Sequence, residues 1–291
     1  MSCGYGKIDL HMHSTVSDGT DTPEELLEKV KAEGIVIFSV TDHDAIRTAP
    51  ILQGVLKQSD PRFIPGIEFS CKDELGKYHI LGYGFDPAAA SMCALVDRSH
   101  RIRMEKVHAR VEGLKTQFGF SFPKEKVEKL LALDNPGKPH IGRMMIECGY
   151  VQSIPEAFEK YLDSIKVPKI SPVRPEEAIA AILSGGGIPV LAHPFYGSGS
   201  ELILGDDMEE RLRRMIDFGL QGVEAYYSGF TDKLRGAMLA LAKRYDLYIT
   251  AGSDYHGANK LVKLGDTGLN ERDEYPEGLL RFLRRFVDPC A

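Results

Sequence analysis

Short apolar segments of strand length alternate with amphipathic helical segments along most of this chain, and this alternation limits the folds open to it. In "TPEELLEKVKA", Thr22 is a helix N-cap, Pro23 occupies the first turn and Glu25 completes a capping box; the apolar run "IVIFSV" follows. After residue 168, helical segments again alternate with strands such as "IPVLAHP", "LQGVEAYYS" and "LYITAGSDYH". Repeated βα units favour a parallel sheet or a closed βα barrel, so we predict an α/β fold.

The alternation has two local exceptions. The segments "GIEFS" and "KYHILGYGF" are separated only by "CKDELG", which predicts a hairpin. From about Arg101 the segments become charged, amphipathic and helical, with no strand between them. We therefore predict a small all-helical domain at residues 101–168, inserted into a main domain of residues 1–100 plus 169–291.

Titratable side chains recur where the predicted strands end, the edge at which βα barrels place their sites. His11 and His13 in "IDLHMHSTVSD" are one residue apart on a short strand, so both imidazoles lie on one face. A lone strand-end histidine is more often a structural residue. Nine imidazoles and carboxylates on one rim, however, would repel one another or lack partners without bound cations. The set is His11, His13, Asp18, His43, Glu68, His79, His193, Asp254 and His256.

The donor types in this set predict the number and kind of ions. Catalytic metals take three or four protein ligands each, so nine residues with one bridging carboxylate suit two or three divalent ions. Imidazole and carboxylate donors without a thiolate point to Mn, Zn or Fe, and of these we expect Mn.

The charge and the cysteines limit partners and compartment. A formal charge of −6 and a pI near 5.9 give no basic footprint for duplex nucleic acid. Five cysteines without a C-x-x-C pair favour reduced thiols. The N-terminal segment has no signal-peptide core, and no apolar run approaches membrane-spanning length. We expect a cytoplasmic protein, monomeric or weakly homo-oligomeric, with a small substrate and no membrane partner.

The motifs "DLHMHS", "SDG", "TDHD", "GIEFS", "YHILGY", "AHP" and "GSDYH" resemble, in order, those of the PHP (polymerase and histidinol phosphatase) family. The resemblance implies a distorted (β/α)7 TIM-like barrel with a multinuclear metal site. It assigns His11, His13, Glu68 and Asp254 to a first ion and makes Glu68 the bridge to a second ion. The second ion would also be held by His79 and His193, and a third by Asp18, His43 and His256.

The helical insert resembles one branch of small PHP phosphoesterases, and we predict that it forms a lid over the active site. In "PGKPHIGR", Lys138 and His140 occupy positions where related enzymes grip substrate phosphate, and Arg143 follows one helical turn later. A plain basic helix start is the alternative interpretation for Arg143. We expect Glu68 and Asp254 to be catalytic residues, with His140 or a metal-bound water as the acid for the leaving group.

In "GVEAYYS", Tyr226, Tyr227 and Ser228 stand where a sugar or base could bind, although the tyrosines could equally be barrel packing. The segment "AHPFYG" departs from relatives that cleave nucleoside 3′,5′-bisphosphates or trim RNA ends, which usually continue "AHP" with Gly-Arg-Tyr. A basic contact for a second phosphate is therefore missing at that loop.

We thus expect a metal-dependent phosphoesterase in which a hydroxide bridging two metals attacks phosphorus. Its substrate would be a small phosphorylated sugar or nucleotide. A cyclic phosphodiester of the phosphoribosyl 1,2-cyclic phosphate type, or its monoester product, ranks ahead of a 3′,5′-bisphosphate or an RNA end. A metal-binding PHP module without catalysis is the alternative from another class. A zinc amidohydrolase would normally add a metal-bridging lysine at a strand end, and the predicted strand ends offer none.

Overall fold

A computed structural model describes residues 5–197, 201–270 and 274–287, and these form a mixed α/β fold. The described strands are β1 (Lys7–Asp9), β2 (Ile35–Phe38), β3 (Arg62–Phe63), β4 (Gly66–Lys72), β5 (Lys77–Tyr83), β6 (Ile188–Leu191), β7 (Gly222–Tyr227) and β8 (Tyr248–Gly252). The described helices are α1 (Pro23–Ala32), α2 (Thr48–Val55), α3 (Ala90–Phe118), α4 (Lys124–Leu131), α5 (Lys138–Glu147), α6 (Ile154–Ala157), α7 (Pro175–Ser184), α8 (Gly205–Asp217), α9 (Asp232–Arg244) and α10 (Glu277–Leu283).

The described strands form two sheets rather than one continuously hydrogen-bonded barrel. Strands β1, β2 and β3 are parallel neighbours, and β4 to β8 follow in chain order in the second sheet. In that second sheet β5 runs antiparallel to both β4 and β6, which confirms the predicted hairpin. Isolated parallel bridges link the sheets on both sides, Met12 with Tyr255 and His43 with Glu68. The strand ends that carry the predicted site are thus brought to one place.

Helix α1 shows how local sequence fixes one βα unit. The Thr22 hydroxyl accepts the Glu25 N–H at 3.2 Å, and the Glu25 carboxylate accepts the Thr22 N–H at 2.9 Å, so the predicted capping box is present. The buried face of α1, with Leu26 and Val30, packs in the same apolar cluster as Phe38 of β2. Capping sets where the helix begins, and burial of its apolar face holds it on the sheet.

Helix α3 joins the main core to the helical segment without a break. It has 29 residues and is capped at its C-terminus by Gly119, whose φ of 69° suits glycine. Its first half buries Met92 and Leu95 in the main core. Its second half buries Val107 and Leu114 in a separate cluster with α4, α5 and α6. The predicted boundary at residue 101 therefore falls inside a continuous helix.

No helix in the described ranges combines the length and apolar character needed to cross a membrane. Cys71, Cys93 and Cys148 are free thiols, while Cys3 and Cys290 lie outside the described residues.

Candidate metal centre

Glu68, on β4, lies at the centre of the predicted ligand set. Its side chain is 1 % exposed, and both oxygens face imidazole nitrogens. Oxygen Oε2 lies 3.3 Å from His11 Nε2, 3.2 Å from His13 Nε2 and 3.0 Å from His43 Nδ1. Oxygen Oε1 lies 2.8 Å from His79 Nδ1 and 3.1 Å from His193 Nε2. One carboxylate thus contacts five histidines from four separate segments.

Two aspartates complete the cluster on either side. Asp254 Oδ1 lies 3.5 Å from His11 Nε2, 3.4 Å from His13 Nε2 and 3.4 Å from His256 Nδ1. Asp18 Oδ1 lies 3.4 Å from His256 Nε2, 3.9 Å from His13 Nδ1 and 4.0 Å from His43 Nε2. All nine residues of the predicted set therefore lie in one cluster.

The buried donor atoms fit a metal site. Several of them are fully enclosed without a hydrogen-bond partner: His11 Nε2, His13 Nε2, Asp18 Oδ1, His43 Nδ1 and Glu68 Oε2. Leaving that many polar atoms unpaired in a protein interior is costly, whereas imidazole and carboxylate atoms facing one point are the usual ligands of Mn, Zn or Fe. The cluster thus suits divalent ions.

Three groups of donor atoms are close enough to share an ion: His11, His13 and Glu68; His43, Glu68 and His79; and His13, Asp18, His43 and His256. These groups differ in detail from the distribution that the family resemblance implies. His43 and His13 each belong to two groups, while His193 and Asp254 contact the cluster from its edge.

Electrostatics explains how carboxylates stay charged in this buried place. Burial alone would raise the pKa of Glu68, but the imidazoles of His79, His43 and His11 hold that pKa well below its usual range. Burial lowers the pKa of His43 well below its usual value, which favours the neutral imidazole that binds metal. Burial opposes the charged form of His11, yet the carboxylates of Glu224, Glu68 and Asp254 raise its pKa.

Glu224, on β7, supports the cluster and was not anticipated from the sequence. Its Oε1 accepts a hydrogen bond from His11 Nδ1 at 2.9 Å, and its Oε2 accepts the His193 N–H at 2.8 Å. The first contact leaves His11 Nε2 free to face Glu68 and Asp254. A carboxylate inside the apolar strand "GVEAYY" was the available signal.

Asp42 has a similar supporting role behind His13. It accepts hydrogen bonds from the Ser14 N–H at 2.8 Å, the Ser14 hydroxyl at 2.7 Å and the Ser17 hydroxyl at 2.6 Å. The Ser17 hydroxyl lies 3.4 Å from His13 Nδ1. The first aspartate of "TDHD" therefore orders the loop that follows β1.

A β-bulge decides which residue of "AYYS" faces the cluster. The pairing of β7 with β8 shifts between Glu224 and Tyr226, so Tyr227 rather than Tyr226 shares the inward face. The Tyr227 hydroxyl donates to Asp254 Oδ2 at 3.0 Å, whereas the Tyr226 ring lies beside the Arg235 guanidinium. The structure thus places Tyr227 at the site and directs Tyr226 elsewhere.

Two further residues border the cluster near Asp254. The Ser228 hydroxyl donates to the Ser253 carbonyl at 2.8 Å, so its described bond is to backbone. Lys260, which the sequence interpretation missed, lies 2.6 Å from Asp254 Oδ2. Its place shortly after "GSDYH" was the signal that could have found it.

The insert reaches the rim through α5 and the loop before it. The Asn135 amide donates to the His43 carbonyl. The Arg143 guanidinium donates to Asn259 Oδ1, and Asn259 Nδ2 donates to the Asp18 carbonyl at 2.5 Å. These contacts hold the insert against the ligand-bearing loops.

Of the three residues predicted to grip phosphate, His140 and Arg143 lie at the rim and Lys138 does not. Burial lowers the pKa of His140, whose Nδ1 accepts the Gly137 N–H at 3.1 Å. Lys138 forms an ion pair with Asp163 at 2.5 Å and lies over the Phe158 ring. No described contact joins Lys138 to the cluster, because that ion pair holds it on the insert.

The segment "AHPFYG" contributes His193, whose φ of 27° is unusual for a residue other than glycine, and no cation. Residues 198–200, which follow in the same loop, lie outside the described residues.

Comparison with known proteins identifies the family. The PHP domain matches residues 9–167, more than half of the chain. The chain belongs to the PHP domain family. This PHP protein is 31% identical over 264 residues to a 3′,5′-nucleoside bisphosphate phosphatase of Chromobacterium violaceum, covering 86% of the chain and 87% of the relative.

Two other relatives have different named activities. Identity is 30% to the phosphoribosyl 1,2-cyclic phosphate 1,2-diphosphodiesterase of Eggerthella lenta, over 86% of this chain and 94% of that one. It is 29% to a 5′-3′ exoribonuclease of Haemophilus influenzae, over 89% and 93%. Because all three hydrolyse phosphoric esters, they confirm the predicted enzyme class of this PHP protein.

Two solved structures share the fold of this PHP protein. A predicted metal-dependent phosphoesterase of Bifidobacterium adolescentis superposes with a TM-score of 0.79 at 27% identity, covering 97% of this PHP protein and 96% of that chain. An amidohydrolase of Chromobacterium violaceum, solved with bound sulfate and no metal, also has a TM-score of 0.79 at 26% identity, with coverage of 97% and 98%.

Proposed function

We propose that this PHP protein hydrolyses a small phosphorylated sugar or nucleotide. A cyclic phosphodiester of the phosphoribosyl 1,2-cyclic phosphate type, or the monoester it yields, is the preferred substrate. The observation that carries the proposal is the convergence of unpaired imidazole and carboxylate atoms on Glu68. The 30% identity to the Eggerthella lenta diphosphodiesterase supports the cyclic ester.

The cofactor we propose is two or three divalent ions, Mn in the first place and Zn or Fe as alternatives. The nine clustered residues would hold them, with Glu68 shared. When bound, such ions supply Lewis-acid activation of water and neutralise charge on the phosphoryl group. Glu224 and Asp42 keep the surrounding imidazoles in place for this.

His140 supports phosphate binding more than acid catalysis. Because its Nδ1 accepts the Gly137 N–H, its Nε2 carries the proton of the neutral ring and is a hydrogen-bond donor. Burial lowers its pKa, so the ring is neutral at pH 7 and is a weak proton source for a leaving group. We assign it to orienting the phosphoryl oxygens, together with Arg143.

We infer that the two bridged sheets represent the distorted barrel of the PHP fold and that residues 101–168 form a lid. The bridges Met12–Tyr255 and His43–Glu68 support the barrel. The contacts of Asn135 with His43 and of Arg143 with Asn259 support the lid, because they join the insert to loops that carry the proposed ligands.

The second candidate is a 3′,5′-bisphosphate phosphatase or an RNA-end-trimming enzyme, favoured by the relatives with those names. A phosphate-release screen on Mn-loaded protein separates the candidates. Its panel contains ribose cyclic phosphates, 2′,3′-cyclic nucleotides, monoesters, 3′,5′-bisphosphates and a 5′-phosphorylated oligonucleotide. We expect the highest kcat/KM for the ribose cyclic phosphate. A hundredfold preference for the bisphosphate would favour the second candidate, and no release from any substrate would leave a non-catalytic metal-binding module.

A further inference from the structure

The β4–β5 hairpin continues outward from the candidate metal centre with basic residues. Side chains alternate along a strand, so Glu68, Ser70 and Lys72 lie on one face of β4. In the antiparallel register Ser70 is opposite His79, and Lys72 is opposite Lys77. Residues directly opposite each other share a face. The surface that begins at Glu68 and His79 therefore ends at two lysines.

Helix α3 presents a second row of cations. Arg103, Lys106 and Arg110 follow one another at three and four residues, which places them on one face of the helix. All three are partly buried, whereas Arg101 and Glu105 on other faces are exposed. The row spans about 10 Å along the helix axis.

Arg103 connects this row to the metal centre. Its guanidinium forms an ion pair with Asp44 and lies 3.5 Å from the Ser70 hydroxyl. Asp44 also accepts the Ser70 N–H at 2.9 Å. Gly137, whose N–H donates to His140, lies close to Arg103, since a side chain there would come within 3.1 Å of the guanidinium. The row thus starts between the hairpin and the tip of the insert.

Most of these cations lack a carboxylate at ion-pair distance. Within the described ranges, no acidic side chain lies at ion-pair distance from Lys72, Lys77 or Lys106. The Nε atom of Arg110 is fully buried without a hydrogen-bond partner. The nearby carboxylates are already occupied, Asp44 by Arg103 and Asp163 by Lys138.

Electrostatic cost makes an anion the expected occupant. Burial lowers the pKa of Lys106, and the like charges of Arg103 and Arg110 lower it further, while the carboxylate of Asp44 offsets this only in part. Grouping cations in this way is unfavourable unless a ligand compensates them, and it stands out in a chain of net charge −6. Arg and Lys side chains bind phosphate through short charge-assisted hydrogen bonds.

We propose that Lys72, Lys77, Arg103, Lys106 and Arg110, here called the basic patch, provide the binding site for a second phosphate of the substrate, one that does not react. The proposal rests on the proposed function, because it places the reacting phosphate at Glu68. Both leading substrate types carry such a group: phosphoribosyl 1,2-cyclic phosphate on its ribose, and a 3′,5′-bisphosphate on its other hydroxyl. The basic patch would supply the phosphate contact that "AHPFYG" lacks.

Matched substrates test the basic patch by kinetics. One pair is ribose 1,2-cyclic phosphate with and without the 5-phosphate, and the other is adenosine 3′,5′-bisphosphate and adenosine 3′-phosphate. We expect Lys106→Ala to lower kcat/KM at least tenfold for the member with the extra phosphate and to leave the other member unchanged. Lys106→Met, which keeps the packing of the alkyl chain, should do the same. The matched control Arg101→Ala removes an exposed cation of the same helix and should change neither.

A binding measurement separates failure of the basic-patch proposal from failure of the proposed function. Ribose 5-phosphate, which carries only the distal group, is titrated calorimetrically into wild type, Lys106→Met and Arg101→Ala. A tenfold higher Kd in Lys106→Met alone supports phosphate binding at the basic patch, even for a protein that releases no phosphate. Equal Kd values, or turnover that ignores the extra phosphate, overturn it. If a 5′-phosphorylated oligonucleotide is the preferred substrate and its cleavage depends on Lys106, the basic patch is supported and the second phosphate comes from a polymer.

Discussion

Around Glu68 the charged side chains are almost fully enclosed and face one another, whereas the cations along α3 are partly buried and several face no carboxylate. The first region is assembled from strand ends that the sheets hold in fixed positions. The second lies between a helix, a hairpin and an insert with its own apolar core. The difference indicates two kinds of ligand: resident divalent ions at the strand ends, and an exchangeable anion beside the insert.

Removing the shared carboxylate should give the largest effect. Glu68→Gln keeps the shape of the side chain but loses the charge that faces five imidazoles, so we expect phosphate release to fall by at least about 10³-fold. Glu74→Gln is the matched control, because Glu74 is an exposed carboxylate just beyond β4 and should be silent. A Glu68→Gln protein with wild-type kcat would contradict the assignment of the strand-end region to bound divalent ions.

Asp9 tests a buried carboxyl of the same region that faces backbone N–H groups. It accepts those of Ser253 at 2.9 Å and Gly265 at 2.8 Å, and burial raises its pKa to about 6. A carboxyl that keeps its proton to a higher pH in the folded state stabilises the fold fully below pH 4 and loses that contribution as the pH rises to 6.

We expect Asp9 to remove at most about 3 kcal/mol from the free energy of unfolding over that interval. Urea unfolding at pH 4, 5, 6 and 7 should therefore show a fall in wild type, relative to Asp9→Asn, that stops near pH 6. A constant difference between the two proteins at all four pH values would contradict the raised pKa.

Glu224→Gln should have a smaller effect than Glu68→Gln. The amide can still contact His11 but no longer holds it by charge, and loss of such a supporting carboxylate typically lowers metal affinity 10- to 100-fold. Metal titration of chelator-treated protein measures this, with exposed Glu210→Gln as the control. Unchanged affinity would show that His11 is oriented by packing alone.

Arg143→Ala should give the smallest effect, and it tests the region beside the insert. It removes the hydrogen bond to Asn259 that holds the insert against the Asp18 loop, worth about 1 kcal/mol. We expect KM to rise about fivefold with metal content unchanged. Lys124→Ala, an exposed cation elsewhere in the insert, is the control. A loss of bound metal in Arg143→Ala would mean that Arg143 belongs to the metal centre instead.

Residue positions at the strand ends could be predicted from the sequence more completely than those in the insert. Alternation along a strand has a fixed period, so His11 and His13 could be placed on one face and the hairpin could be predicted. The β-bulge before Tyr226 breaks that period, which is why Tyr227 and not Tyr226 contacts Asp254.

In the insert no such period applies, because long side chains choose among partners that only the tertiary structure supplies. Lys138 pairs with Asp163, and Arg103 reaches the rim in its place. The start of α3 at Ala90, ahead of the predicted boundary, likewise follows from burial of Met92 and Leu95 in the main core, which the local charge pattern does not reveal.

The most direct test of the central claim, that the cluster around Glu68 is a multinuclear metal centre for phosphate ester hydrolysis, is a Mn titration of chelator-treated protein followed by phosphate release. We predict no release without metal and full recovery at two to three equivalents of Mn per chain. Full turnover by the metal-free protein, or recovery complete at a single equivalent, would contradict the account.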